Sequence, residues 1–220
     1  MQMETSPTKA YFDHKTGYGV SKNRLRSITA AAGDLSGKSV LDVGCGAGRL
    51  GAYLREQGAT RVVGCDIAVD AITAASQNLD HAFTYDVATD SLSRLCGEEK
   101  FDVVVATELI EHLFQPARLL QEVKSVLKPD GVFIVTTPNF LLWSNRLRML
   151  FGQFQYTKTG LLDESHVHFF TYNTLHQIVK EEGLTVVAEH NVYHGKVPKW
   201  LQKHIPTLSI YQMVFVCKSK

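Results

Sequence analysis

Nowhere in this 220-residue chain do apolar residues run unbroken for the roughly eighteen positions needed to cross a bilayer. The N-terminus, MQMETSPTKA, is polar and has no apolar core of the signal-peptide kind. The expectation is a cytoplasmic protein with no transmembrane segment, for which peripheral membrane contact stays open. Cysteine is sparse: Cys45, Cys65, Cys96 and Cys217 are dispersed, with no CxxC pair and no zinc-like spacing. A disulfide framework and a structural zinc site are therefore excluded, and reduced thiols are expected. Charge of one sign is lacking too, because 23 basic residues face 22 acidic ones for a net +1. No overall basic footprint exists for nucleic acid, so none is expected as a partner. Repeats and low-complexity linkers are also missing. With 45% hydrophobic and 20% charged residues, the whole of 1–220 reads as one domain with a sizeable core.

Short β-branched apolar runs alternate with segments of helical period. Strands are predicted at Lys38–Val43, Arg61–Cys65, His81–Tyr85, Phe101–Ala106, Val132–Thr136, Leu184–Glu189 and Ile210–Cys217. The consecutive valines Val103, Val104 and Val105 suit a strand buried on both faces, as in a parallel sheet covered by helices. Helices are predicted at Ser21–Ala32, Arg49–Gln57, Val69–Asn78, Pro116–Leu127 and Asn173–Glu182. KPDG, residues 128–131, reads as a helix stop with Gly131 in a left-handed turn. Residues 1–35 form an N-terminal arm and helix. Two segments break the alternation, 138–172 after the fifth strand and 191–208 between the last two. The first is placed near the carboxyl ends of the strands, where open α/β sheets bind ligands.

VLDVGCGAG, residues 40–48, ends an apolar run with an aspartate and three glycines. Glycines between a strand and a helix let backbone approach a ligand where a Cβ would collide. Two registers fit. From Gly46, GAGRLG matches GxGxxG, with Asp66 at the spacing of the ribose acid in a dinucleotide fingerprint. From Asp42, an acid precedes Gly44, Gly46 and Gly48 at alternate positions, and the strand ends at Val43. Asp66 and Asp86 each follow a predicted strand; the competing reading for both is an ordinary helix cap.

VLDVGCGAG, then VVGCDIA and FDVVVATELIEHL in that order, closely resembles the class I S-adenosylmethionine-dependent methyltransferases. The resemblance runs from about Lys38 to Cys217. It implies an α/β, Rossmann-like, doubly wound seven-stranded sheet in the order 3-2-1-4-5-7-6, with strand 7 antiparallel and helices on both faces. It also implies S-adenosyl-L-methionine as cofactor and S-adenosyl-L-homocysteine as product. By this resemblance Gly44, Gly46 and Gly48 lie against the methionine part and Asp42 helps hold its ammonium group. Asp66 accepts from the ribose hydroxyls, Ile67 packs on the adenine, Asp86 meets the adenine amino group with Val87 beside it, and Thr107 borders the methionine moiety.

Methyl transfer from a sulfonium needs alignment and exclusion of water, and a hydroxyl acceptor also needs a base. Glu108, Glu111 and His112 in TELIEHL follow the fourth strand, and His166 and His168 lie in the long insertion. ELIEHL resembles the E-x-x-E-H stretch of small-molecule branches of the family; the competing reading is a helix N-terminus with favourable acidic charge. His112 and His166 are the catalytic candidates. A metal site from Asp163, His166 and His168 lacks a further ligand, and no metal is expected. The insertion resembles that of MetW-like methyltransferases and relatives, with His168 standing where their pattern usually has arginine. Asn139, Asn145, Arg146, Tyr156, Asp163 and His168 become substrate-side candidates, or else polar members of an ordered loop. Phe140, Trp143, Leu147, Leu150 and Phe151 recur at helical spacing, read first as core packing, then as a lid, then as a membrane-docking face. Tyr11, Phe12, His14 and Tyr18 suggest a second lid.

Together these readings predict methyl transfer to a small-molecule acceptor, at oxygen of a sugar-related or quinol-like compound, by a monomer or homodimer. Two alternatives remain, a non-catalytic cofactor-binding partner protein of the MetW-like type and a nicotinamide-dependent oxidoreductase.

Overall fold

The computed structural model describes residues 21–195 and 198–220; the aromatic arm proposed at Tyr11, Phe12, His14 and Tyr18 lies outside them. In chain order the elements are α1 (Lys22–Ala32), β1 (Ser39–Val43), α2 (Arg49–Glu56), β2 (Arg61–Asp66), α3 (Val69–Ala75), β3 (His81–Thr84), α4 (Leu92–Cys96) and β4 (Phe101–Thr107). A single 3-10 turn, Ile110–His112, precedes α5 (Pro116–Val126), β5 (Leu127–Pro138), α6 (Trp143–Leu150), α7 (Tyr172–Glu181) and β6 (Leu184–Glu189). The chain closes with β7 (Val192–Tyr193), α8 (Lys199–His204), α9 (Pro206–Ser209) and β8 (Ile210–Ser219).

The strands form one sheet in the order β3-β2-β1-β4-β5-β8-β6, with the two-residue β7 pairing β8. β1 to β5 are parallel, whereas β8 runs antiparallel between β5 and β6. This is the expected 3-2-1-4-5-7-6 order with one short strand added before the last. The reversal between β1 and β4 opens a crevice at the carboxyl ends of the strands, the place where such sheets take ligands.

Alternation across a strand explains why runs of valine suit this sheet. Val103 and Val105 face the layer that holds Ile28, Leu54 and Ala75, while Val104 faces the opposite layer with Leu119, Leu120 and Leu175. All three valines are fully buried. Helix α1 starts where the Ser21 hydroxyl accepts from the Arg24 N–H at 3.3 Å. Helix α7 starts on a reciprocal Thr171–Thr174 cap.

KPDG departs from expectation. The helix ends at Val126, the chain is already extended at Leu127, and β5 runs through these residues. Gly131 is absent from the left-handed glycines; instead, a Cβ there would stand 2.9 Å from the Phe101 carbonyl oxygen. The glycine serves close strand approach rather than a turn. ELIEHL likewise forms one 3-10 turn and not the first turn of an α-helix.

Candidate functional site

Strand β1 ends at Val43 and α2 begins at Arg49, so Gly44–Gly48 is a five-residue loop between them. The Gly44 and Cys45 N–H groups both donate to the Cys65 carbonyl, at 2.7 and 3.0 Å, which ties the loop across to β2. The dinucleotide register would need the strand to run on through Cys45, and it does not. Gly48, the residue before the helix, has φ 76°, and a Cβ there would meet Leu79 at 3.0 Å and the Ala75 backbone at 3.2 Å. Only glycine satisfies both the conformation and the space.

The ends of the next two strands deliver the other acids. Asp66, closing β2, accepts from the Gly46 N–H at 2.8 Å and from the Ala68 N–H at 2.9 Å. Its carboxylate therefore holds the glycine loop as well as facing the crevice. Asp86, two residues beyond β3, accepts from the Ala88 N–H at 2.8 Å. Neither aspartate is the helix cap of the competing reading, since Ala68 precedes α3 and Ser91 precedes α4; each carboxylate closes a local turn and borders the cleft.

These strand ends border a cleft of about 480 Å³; Gly44 is on its wall, and Gly46 and Gly48 are not. Asp42, Gly44, Asp66, Ile67, Asp86, Val87 and Thr107 line it together with His112, Asp163 and His166. Asp42 is buried, and neither of its oxygens completes a hydrogen bond. Burial, then the neighbouring Asp66, push its carboxyl up to about 7, with partial relief from the Gly51 N–H. A buried acid left in this state is costly unless a donor or a cation stands beside it.

Glu108 follows β4 with φ 50°, and it alone among the described non-glycine residues has a positive φ. Such strain gathers where surrounding contacts over-determine a residue. Its carboxylate receives Arg24 Nη2 at 3.1 Å, the Thr136 hydroxyl at 3.0 Å and the Gln212 amide, while Arg24 Nε donates to Gln212 Oε1 at 2.8 Å. Helix α1 thereby locks onto β4, β5 and β8. Arg24 also lines the cleft, a role for which its own helix carries no local signal.

The insertion is pinned to ELIEHL by backbone bonds. The Val167 and His168 N–H groups donate to the Glu111 carbonyl, at 2.9 and 3.0 Å. The His112 Nδ1–H donates to the Ser165 carbonyl at 3.0 Å, which leaves Nε2 as that ring's acceptor nitrogen. Asp163 organises the turn from inside: one oxygen takes the Ser165 N–H at 2.9 Å and the Ser165 hydroxyl at 2.6 Å, and its carbonyl takes the His166 N–H at 3.0 Å. The result sets the His112 and His166 rings 4.8 Å apart, edge on. Glu111 lies beneath them, 1% exposed, its Oε1 at 4.0 Å from His166 Nε2. Burial, with Glu108 beside it, raises the Glu111 carboxyl well above the usual carboxylate range.

The remaining substrate-side candidates stand outside the cleft lining. Asn139 is fully buried, and its amide donates to the Thr207 and Ile210 carbonyls at 2.8 and 2.9 Å. Asn145 donates to the Phe140 carbonyl and Arg146 to the Leu141 carbonyl, so these two serve the backbone of the insertion itself, whereas Asn139 ties it to the α9–β8 junction. Tyr156 meets Phe154 edge-on and Phe169 at a tilt, and His168 reaches the Phe114 carbonyl at 3.4 Å. The Phe140–Phe151 stripe is not core: Trp143, Leu147, Leu150 and Phe151 are exposed, the last two by 78% and 71%. Helical period shows that a helix has an apolar face; it does not show what covers it.

A family described as a methyltransferase domain matches residues 12–189. A ubiquinone biosynthesis O-methyltransferase of Haemophilus ducreyi is 39% identical over 123 residues, which cover 53% of this chain and 52% of that protein. Its counterpart in Neisseria meningitidis is 34% identical over 134 residues, covering 58% and 55%. The chain thus spans about half the length of the curated relatives it matches. Among solved structures, magnesium protoporphyrin IX methyltransferase of Synechocystis superposes with a TM-score of 0.66 at 17% identity, covering 96% of this chain and 98% of that one. An S-adenosylmethionine-dependent methyltransferase of Mesorhizobium loti gives 0.62 at 18%, covering 88% and 94%. At these identities the structural likeness speaks to the fold.

Proposed function

This chain belongs to the S-adenosylmethionine-dependent methyltransferases, and from that premise we propose that it methylates a hydroxyl oxygen of a small, quinol-like acceptor. The observation that carries the proposal is that one cleft is lined both by the strand-end acids and by the His112–His166 pair. Asp42, Asp66 and Asp86, each at or just beyond the tip of a parallel strand, face a left-handed glycine loop. These residues suit S-adenosylmethionine: Asp42 would hold its ammonium group, Asp66 its ribose hydroxyls, and Ile67 and Val87, with Asp86 beside them, its adenine. When bound, the cofactor supplies an already activated methyl group; the protein aligns the acceptor and excludes water.

His112 and His166, on the wall of the same cleft, are the activating groups for the acceptor hydroxyl. With the cofactor held there, the acceptor oxygen would take its methyl group by in-line displacement, the S–CH3 electron pair returning to sulfur, and the residues of this wall would align that oxygen. The hydroxyl proton leaves on the acceptor side. Tethering of the insertion to Glu111, with Thr159, Gly160 and Asp163 on the cleft wall, supports a role for this segment in acceptor selection. The named relatives act in ubiquinone biosynthesis, which favours a quinol-like over a sugar-related acceptor.

The test is transfer of tritiated methyl from S-adenosylmethionine to a catechol-type quinol, with a free sugar as the comparison. The quinol should become labelled, and His166→Ala should cut turnover while cofactor affinity stays near that of the unaltered protein. Label on the sugar alone would move the acceptor class, and undiminished turnover in His166→Ala would remove that residue from the chemistry.

A further inference from the structure

Asp42 and Asp66 stand near the carboxyl ends of the neighbouring strands β1 and β2, on the wall of one cleft, yet their carboxyl groups are unequally served. Asp66 accepts from the Gly46 and Ala68 N–H groups at 2.8 and 2.9 Å, whereas neither oxygen of Asp42, 1% exposed, completes a hydrogen bond. We infer that Asp42 carries a proton until the cofactor's ammonium group docks beside it, so that capture of S-adenosylmethionine releases one proton to solvent and weakens on acidification. This deepens the methyltransferase reading and rests on it, because it concerns the regulation of the same cofactor site.

Two carboxyl groups that share a corner of low dielectric do not both ionise cheaply. The one that N–H donors already serve keeps the charge, and the one without them keeps the proton. Every element packed against Asp42 leaves it in that position. From β2 come Asp66 and the Cys65 thiol, and from the glycine loop the Cys45 thiol; burial holds both thiols neutral. On the other side β4 sets the fully buried Val105 opposite it. Of the two arginines on the cleft wall, Arg24 from α1 is taken by Glu108 at 3.1 Å, and Arg49 at the start of α2 is exposed. Among the described residues no cation pairs with Asp42, and burial first, then Asp66, push its carboxyl up to about 7 against partial relief from the Gly51 N–H.

The exchange balances without a further reactant. Asp42 enters as a neutral acid and ends as a carboxylate paired with the ammonium group; its O–H bond breaks and the proton goes to solvent. Below about 7 that proton must be expelled for the cofactor to bind, so affinity should rise about tenfold for each pH unit. Above about 7 Asp42 is already ionised, the release fades and the rise levels off. An α-ammonium group loses its own proton at about 8, so affinity should turn down again beyond that point. The cofactor is then held best in the narrow interval where Asp42 has lost its proton and the ammonium has kept its own.

The experiment is calorimetric titration of the full chain with S-adenosylmethionine in two buffers of different ionisation enthalpy, which counts the protons exchanged on binding. About one proton should be released at roughly pH 6, with little net exchange at roughly pH 7.5, and affinity should rise about tenfold between roughly pH 5.5 and 6.5. Asp42→Asn has no such proton to give, so it should bind more weakly and with an affinity that stays flat over the same interval. If that variant fails to fold by circular dichroism or binds too weakly to titrate, infrared difference spectroscopy on the unaltered chain at roughly pH 6 carries the same test. Cofactor addition should remove a protonated-carboxyl C=O band and add a carboxylate band, and spectra without that exchange overturn the inference. Cofactor binding with no proton release at roughly pH 6, or release that persists undiminished in Asp42→Asn, overturns it too and leaves the methyltransferase proposal standing. Absence of S-adenosylmethionine binding at every pH removes the cofactor site itself, and this inference with it.

Discussion

Replacing Asp42 with asparagine separates the service of this carboxylate to the cofactor from its burden on the fold. Asp42 is 1% exposed and completes no hydrogen bond. Burial first, and Asp66 second, push it from 3.8 up to about 7. A carboxyl whose affinity for its proton rises on folding makes the native state bind more protons than the unfolded one between those values. Stability is thus full below the lower value, falls as pH climbs through the window and levels off above about 7. At about 1.4 kcal/mol for each tenfold change, the span from 3.8 to about 7 sets a ceiling of roughly 4 kcal/mol. Asparagine does not titrate there. In urea unfolding without cofactor, the stability difference between variant and parent should swing toward the variant by up to that amount as pH rises through the window. Any constant penalty from the new amide cancels in the comparison. Saturating S-adenosylmethionine should then stabilise the parent far more than the variant, because only the parent binds it well. A stability difference that stays flat across the pH series would refute the burial argument.

Three further outcomes follow from the same geometry. Asp66→Ala removes the acceptor for the Gly46 and Ala68 N–H groups as well as for the ribose; calorimetry should show cofactor affinity down by at least about tenfold, since bonds to a charged acceptor contribute about 1.5–3 kcal/mol each. Gly48→Ala forces a side chain onto φ 76° and against the Ala75 backbone, so it should cost about 2 kcal/mol and lower Tm by roughly 4–8 °C in a thermal scan. Arg24→Gln breaks the 3.1 Å pair with Glu108, whose side chains are 21% and 22% exposed; solvent screening reduces the expected loss to about 1–2 kcal/mol, read from a lower urea midpoint.

Local chemistry decided how much of this was readable in advance. The strands and the glycine loop were legible because Val103–Val105, Gly48 and Asp42 each satisfy a constraint visible within a few residues, whereas the strand order came only with the resemblance to the methyltransferases. Gly131 misled because a turn-like KPDG and a tight strand crossing both demand glycine, and only the Phe101 carbonyl distinguishes them. Asn139 and Asn145 looked available for a ligand because polarity in an insertion is visible, whereas the carbonyls that capture them are not: Asn139 donates to the distant Thr207 and Ile210, and Asn145 to Phe140 within the insertion. Arg24 escaped notice for the same reason, since its partner Glu108 lies 84 residues away. The pairing of His112 with His166 depends on Val167 and His168 docking on Glu111, a contact that no local pattern announces.

The central claim is that the Asp42–Asp66–Asp86 cleft is an S-adenosylmethionine site. Calorimetric titration of the intact chain with S-adenosylmethionine and, separately, with NAD tests it most directly. Saturable binding of the former with no heat from the latter is the predicted result; tight NAD binding without S-adenosylmethionine binding would contradict the account.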